Sequence, residues 1–306
     1  MPEMTIVKRG FGHAFIFLVS LFFSLLFITA CKDKKVEAAV IKTEQINANK
    51  YSFIVNNIEY TYSIDFPKVV ENSALVIMVH GMNNTGERMK QDTHFDESAN
   101  LRGYTVVYVT IAQNSGSIYG WNSGIAGQGN DDVLFFRSLV EYLEKEYSLD
   151  KKRTFAVGFS NGAFMMHRLA MEASDVFEAC VSVAGKMPHN IWDNRNKKNH
   201  IGFFQITGEK DEVTPKRSDK GAAYSYDPLI EDVMDYWAES NALTVVSMEE
   251  IGKGSGLTKW SGKAASKKAQ VWHLLVKNGH HLWAEEELTG INTNELILDF
   301  LDLWQY

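Results

Sequence analysis

Ser160 stands in the run Gly158-Phe159-Ser160-Asn161-Gly162, whose residue types and spacing point to nucleophilic catalysis. A hydroxyl becomes a useful nucleophile when a sharp turn lifts it clear of the backbone and a base takes its proton. The apolar run Thr154-Phe155-Ala156-Val157 comes directly before, and a run with helical patterning and no Pro or internal Gly follows from Ala163 to Met171. A strand, a tight turn and a helix are therefore expected, with glycines two residues to either side of Ser160 leaving room for the turn. The Asn161 N–H then lies at a helix N-terminus, where it can donate to an oxyanion. The pentapeptide alone also fits a glycine-rich surface turn, so the remaining members of a catalytic set must be sought elsewhere.

The elements that would position such a set can be read from hydrophobic periodicity. Residues 51 to 55 and 58 to 64 alternate apolar and polar side chains around Asn56-Asn57, as an antiparallel hairpin does. Continuous apolar runs at 74–79, 105–109, 153–157, 179–183, 201–206 and 271–276 instead predict strands buried on both faces. Helical spacing links Phe136, Leu139, Val140, Leu143 and Tyr147, then Ile230, Val233, Met234 and Trp237, then Leu296, Ile297, Phe300, Leu301 and Trp304. Asn292 and Glu295 form a capping arrangement ahead of the last of these. Such alternation predicts an α/β fold, a mainly parallel central sheet with helices on both faces.

In an open parallel sheet the reactive groups gather at the carboxyl ends of the strands. Val79 is followed by His80-Gly81-Met82-Asn83, Val157 by the serine turn, Ile206 by Thr207-Gly208-Glu209-Lys210-Asp211, and Val276 by Lys277-Asn278-Gly279-His280-His281. Serine, acid and histidine thus follow successive strands in the order used by α/β-hydrolases. Asp211 is preferred over Glu209 and Glu212 as the acid because its shorter side chain is held more rigidly. His280 and His281 are adjacent and cannot both face Ser160; position alone leaves the base open between them. His80 reads as a structural histidine beside the oxyanion loop, and His94, His167, His189, His200 and His273 as ordinary surface or core residues.

Several of these segments together resemble the esterases of carbohydrate esterase family 1, which joins feruloyl esterases, acetyl xylan esterases and extracellular polyhydroxybutyrate depolymerases. The segments are Val79-His80-Gly81, Trp121-Asn122, Asp131-Asp132-Val133, the pentapeptide, Asp211 with Val213 and Pro215, and Gly279-His280-His281-Leu282-Trp283. The resemblance spans roughly residues 51 to 305. It implies an α/β-hydrolase fold and, through the family's Gly-His-x-Trp-Pro context, selects His281 as the base, with Trp283 after it. The implied set is Ser160 as nucleophile, His281 as general base and Asp211 as its partner, with the backbone N–H groups of Met82 and Asn161 as oxyanion donors. Trp121 and Trp283 are candidates to flank a sugar or an aromatic acid, and Asp132 is expected to cap a helix. Departures exist: Ala284 replaces the proline, Thr207 stands where the family usually has His, and the cysteines that often form family disulfides are missing. Polyhydroxybutyrate depolymerase, short-chain lipase and a glycan-binding protein with an idle triad are the other functions this pattern accommodates.

Composition narrows the field further. The chain of 306 residues is 45% hydrophobic, enough to bury a substantial single core, and its formal net charge of −7 argues against nucleic acid as a partner. Lys8-Arg9 precede an uncharged run from Ala14 to Ala30, and Ile28-Thr29-Ala30-Cys31 resembles the lipobox of bacterial lipoproteins. Residues 1 to 30 are accordingly expected to be a signal peptide, Cys31 to carry lipid, 31 to 50 to be a flexible tether and 51 to 306 to form the catalytic domain. Export and a membrane anchor follow from that expectation. Cys180, within Ala179-Cys180-Val181, reads as a core residue, and neither a metal nor an organic cofactor is expected.

Overall fold

The computed structural model describes residues 41–111, 120–125, 129–196, 199–214, 227–262 and 270–305. The expected signal segment, Cys31 and Pro215 lie outside the described residues. Among the described residues eleven strands form one sheet: β1 (Ile41–Gln45), β2 (Lys50–Val55), β3 (Ile58–Asp65), β4 (Ala74–Val79), β5 (Tyr104–Thr110), β6 (Thr154–Phe159), β7 (Ala179–Val183), β8 (Gly202–Gly208), β9 (Val245–Ile251), β10 (Ser255–Ser261) and β11 (Val271–Val276). Their order is β1-β2-β3-β5-β4-β6-β7-β8-β11-β10-β9. The six strands from β5 to β11 in that order are parallel, with an antiparallel group at either end.

The apolar runs become the parallel strands because they have side chains to bury on both faces. Every residue of β4 is buried, with Leu75, Ile77 and Val79 in one core and Ala74, Val76 and Met78 in the other. The principal helices are α1 (Gly86–Thr93), α2 (Phe95–Leu101), α3 (Asp132–Glu146), α4 (Asn161–Glu172), α6 (Ile230–Ser240) and α8 (Thr293–Leu301). On the first face α3, α4 and α6 supply Phe135, Met165 and Trp237; on the second α1, α2 and α8 supply Met89, Phe95 and Phe300. Two short helices, α5 (His189–Asp193) and α7 (Glu286–Thr289), complete the described set. The chain leaves β4 toward β5 on one side and returns to β6 on the other, so a crevice opens at the carboxyl ends of β4 and β6.

Local chemistry sets the ends of these elements. Asn56 and Asn57 both take positive φ (49° and 66°), the backbone of a tight hairpin whose twist suits the flanking strands. The Asn292 side chain accepts from the Glu295 N–H and starts α8 as its sequence predicts.

Two expectations are corrected, and one hairpin had no sequence reading. Ile41–Gln45, assigned to the tether, form β1 and pair with β2; the polar, exposed side chains of residues 42–45 carry no apolar signal, and it is the open edge of β2 that recruits the segment. The antiparallel hairpin β9–β10 was not anticipated, since β9 is exposed almost throughout and pairs only at a sheet edge. The cap of α3 is Asp131, whose carboxylate accepts from the Leu134 N–H at 3.1 Å. Asp132 is instead buried, accepting from the Tyr60 hydroxyl at 2.7 Å and the Asn122 N–H at 2.6 Å.

Candidate active site

Ser160 sits where β6 passes into α4, with φ 52° and ψ −117°, a conformation that costs a non-glycine residue about 1–3 kcal/mol. Close packing on both sides holds it there. A Cβ on Gly158 would lie 2.2 Å from the Gly162 carbonyl oxygen, and one on Gly162 would lie 2.2 Å from that of Val79. Only glycine permits helix, turn and neighbouring strand to approach so closely, which is the physical content of the Gly-x-Ser-x-Gly spacing. The Ser160 N–H donates to Val183 O at 2.9 Å, tying the turn to β7.

The histidine reaches Ser160 from the loop after β11. His281 Nε2 lies 2.9 Å from Ser160 Oγ, and its Nδ1 lies 2.9 and 3.1 Å from Asp211 Oδ2 and Oδ1. With Nδ1 protonated toward the carboxylate, Nε2 is left as the acceptor for the serine proton. The ring packs 5.3 Å from that of Phe159, which limits its swing. His280, its neighbour, points elsewhere and pairs with Glu212 at the surface. Glu209 is likewise engaged, with Lys277 and the Asn278 N–H.

Asp211 is buried and heavily bonded. Its carboxylate accepts from the Val213 N–H (2.9 Å), the Thr214 N–H (2.7 Å) and the Thr214 hydroxyl (2.8 Å) as well as from His281. Burial pushes its pKa up, but the bonds from His281 and Thr214 outweigh that and leave it below the ordinary carboxylate value. The group therefore stays ionised where its imidazole partner needs a negative charge. Sequence reasoning missed Thr214, although an Asp followed three residues later by Thr is the pattern of a side chain closing its own turn.

Asn161 opens α4, directly after Ser160, so its N–H is one of the helix's first-turn donors that have no partner within the helix. Its side chain has a second task that the sequence did not reveal: Oδ1 accepts from the Trp121 N–H at 2.6 Å and Nδ2 donates to Ser123 Oγ at 3.2 Å. Met82 follows Gly81, whose added Cβ would come within 3.2 Å of Ser160 Cβ; its N–H is thus on the segment that borders the nucleophile.

The two tryptophans separate. Trp121 is only 3% exposed, donates Nε1–H to His80 O at 3.0 Å and stacks on Phe135 and Tyr60, so it is a core residue and not a platform for substrate. Trp283 is half-buried, anchored by Nε1–H to Asn294 Oδ1 at 3.0 Å, and borders a cavity of about 540 Å³ that also touches Gly81, Phe159 and His281.

His80 and His167 are structural, with a measurable consequence. Burial lowers the His80 pKa to about 4 and that of His167 to about 3. His80 donates Nδ1–H to Gly81 O and accepts the Ile111 N–H at Nε2, an arrangement that only the neutral ring allows. Both rings take up protons near pH 6.5 once unfolded, so the unfolded state binds more protons below that pH. Stability is then present above pH 6.5 and is lost as pH falls toward 4, at roughly 2–3 kcal/mol per pH unit where both titrate. Denaturant midpoints across this range should show that slope, and His80→Gln should reduce it by about half.

The comparisons with known proteins follow this geometry. Residues 58–190 match the family model described as Esterase PHB depolymerase. The resemblance to esterases read from the motifs is borne out. A bifunctional acetylxylan esterase/xylanase of Neocallimastix patriciarum is 23% identical over 155 residues, 51% of this chain and 22% of that protein. The poly(3-hydroxyalkanoate) depolymerase C of Paucimonas lemoignei is 27% identical over 117 residues, 37% of this chain and 28% of that one. The chain spans less than half the length of the first curated relatives it matches. Among solved structures, the acetyl xylan esterase from Aspergillus awamori superposes with TM-score 0.59 at 12% identity, covering 86% of this chain and 99% of that one. The fold is that of an α/β-hydrolase.

Proposed function

We propose that this chain is a serine esterase that cleaves carboxylic esters through an acyl-enzyme, with feruloyl or acetyl groups on plant polysaccharides as its substrates. The observation that carries this reading is the unbroken hydrogen-bond line from Ser160 through His281 to Asp211. His281 takes the Ser160 proton as Oγ attacks the ester carbonyl, and Asp211 balances the imidazolium. The N–H groups of Asn161 and Met82 receive the developing oxyanion, a contribution of about 3 kcal/mol per donor in comparable sites. Collapse expels the alcohol with the proton held by His281, and water then repeats the sequence on the acyl-enzyme. None of these steps calls on a metal or an organic cofactor. Trp283, at the cavity beside His281, is the residue we assign to substrate contact.

Polyester cleavage is the second reading, favoured by the description of the matched family and by the Paucimonas lemoignei relative. An ester panel separates the two. Methyl ferulate or acetylated xylan should be turned over by the polysaccharide esterase, whereas clearing of polyhydroxybutyrate granules without release of ferulate or acetate would transfer the assignment to a depolymerase. Glycan binding with no reaction at Ser160 toward a fluorophosphonate would leave only a binding protein. We further propose that the chain is exported and held at a membrane through lipid on Cys31, as the Ile28-Thr29-Ala30-Cys31 run supports. Metabolic labelling with a palmitate analogue, compared between the natural chain and Cys31→Ala, tests it.

A further inference from the structure

The cavity beside His281 carries an uneven charge. Three carboxylates line it, Asp92 from α1 and Glu285 and Glu286 at the start of α7, alongside the amides of Asn84, Asn292 and Asn294. Neither lysine nor arginine lines it among the described residues. Asp92 is partly balanced by Arg88 at 2.8 Å, whereas Glu286 accepts from the uncharged amide of Asn292 at 3.0 Å. His281 is on the same wall, so whatever occupies the cavity lies beside the reacting ester. All three carboxylates are exposed to solvent, so their fields add over the cavity mouth and are weakened by salt.

We propose that Asp92, Glu285 and Glu286 make this esterase select against negative charge, so that the part of the substrate entering the cavity is neutral or cationic. The inference rests on the esterase reading above and deepens it: the sugar or acyl portion next to the scissile bond carries no carboxylate, and uronate-bearing esters are poor substrates. Amide side chains and Trp283 remain available to neutral hydroxyls, whereas an anion would meet carboxylates with no lysine or arginine among the described lining residues.

Matched ester pairs test this with the full chain. Methyl 4-acetoxybenzoate against 4-acetoxybenzoate places the charge on the alcohol side, and methyl p-nitrophenyl succinate against p-nitrophenyl hemisuccinate places it on the acyl side. In at least one pair kcat/KM for the neutral ester should exceed that for the anion by about tenfold in low salt. High salt should shrink that ratio, and Glu285→Gln with Glu286→Gln should bring it toward one. Should the double variant fold poorly, Glu286→Gln alone and the salt dependence of the unaltered chain carry the same test. Equal rates within both pairs in low salt would overturn the selection while leaving the esterase reading intact, as would a ratio indifferent to both salt and substitution. Hydrolysis of none of the four esters would overturn the esterase reading and the selection with it.

Discussion

Ser160→Ala is expected to lower kcat on any cleaved ester by about a millionfold, with KM changed little and the fold retained. The loss is this large because the proposed chemistry has one nucleophile, Ser160 Oγ, held 2.9 Å from the His281 Nε2 that takes its proton. What remains is the contribution of the oxyanion donors and of binding, typically about 10³–10⁴-fold over water. The backbone should tolerate the change, since alanine meets the same φ of 52° with fewer atoms to place and the packing of Gly158 and Gly162 is untouched. A thermal melt close to that of the natural chain, together with loss of fluorophosphonate labelling, would tie the effect to chemistry. Activity within tenfold of the natural chain would remove Ser160 from the mechanism.

Asp211→Asn should cost about 10⁴-fold in kcat. The amide can turn an N–H toward His281 Nδ1, which forces the ring's own proton onto Nε2, the atom that must accept from Ser160. The substitution also weakens the acceptor for Thr214, whose N–H and hydroxyl both bond the carboxylate. Partial recovery at high pH, where hydroxide competes with the lost base, would mark the tautomer as the cause. Glu212→Gln and His280→Ala are the controls: their pair is exposed and directed away from Ser160, so each should stay within a few-fold of the natural rate. A large loss in either control with none in Asp211→Asn would reassign the acid.

Much of the parallel sheet was legible because buried strands advertise themselves as continuous apolar runs, and β4, β6, β7 and β11 fall within one or two residues of theirs. Edge strands carry no such mark. Residues 42–45 of β1 are polar and exposed, and β9 leaves Val245, Val246 and Met248 exposed, so the pairing of both depends on the strand next to them and neither carries the continuous buried apolar run of an inner strand. Trp121 was misjudged for a related reason: a tryptophan in a loop looks the same whether it faces solvent or the aromatic cluster of Tyr60 and Phe135, and those partners come from β3 and α3.

By itself the sequence determined the turn at Ser160, the alternation of elements and the order serine, acid, histidine, all of which are short-range properties of periodicity and glycine placement. Residue position alone did not choose between His280 and His281; the family resemblance did, and the fold now brings His281 to the serine and sends His280 to Glu212. The tertiary structure also decided which aspartate caps α3, which tryptophan borders the cavity and how Thr214 secures Asp211. The physical reason is distance along the chain. His281 and Ser160 are 121 residues apart, and only the packing of β6, β8 and β11 in one sheet brings their loops within a hydrogen bond.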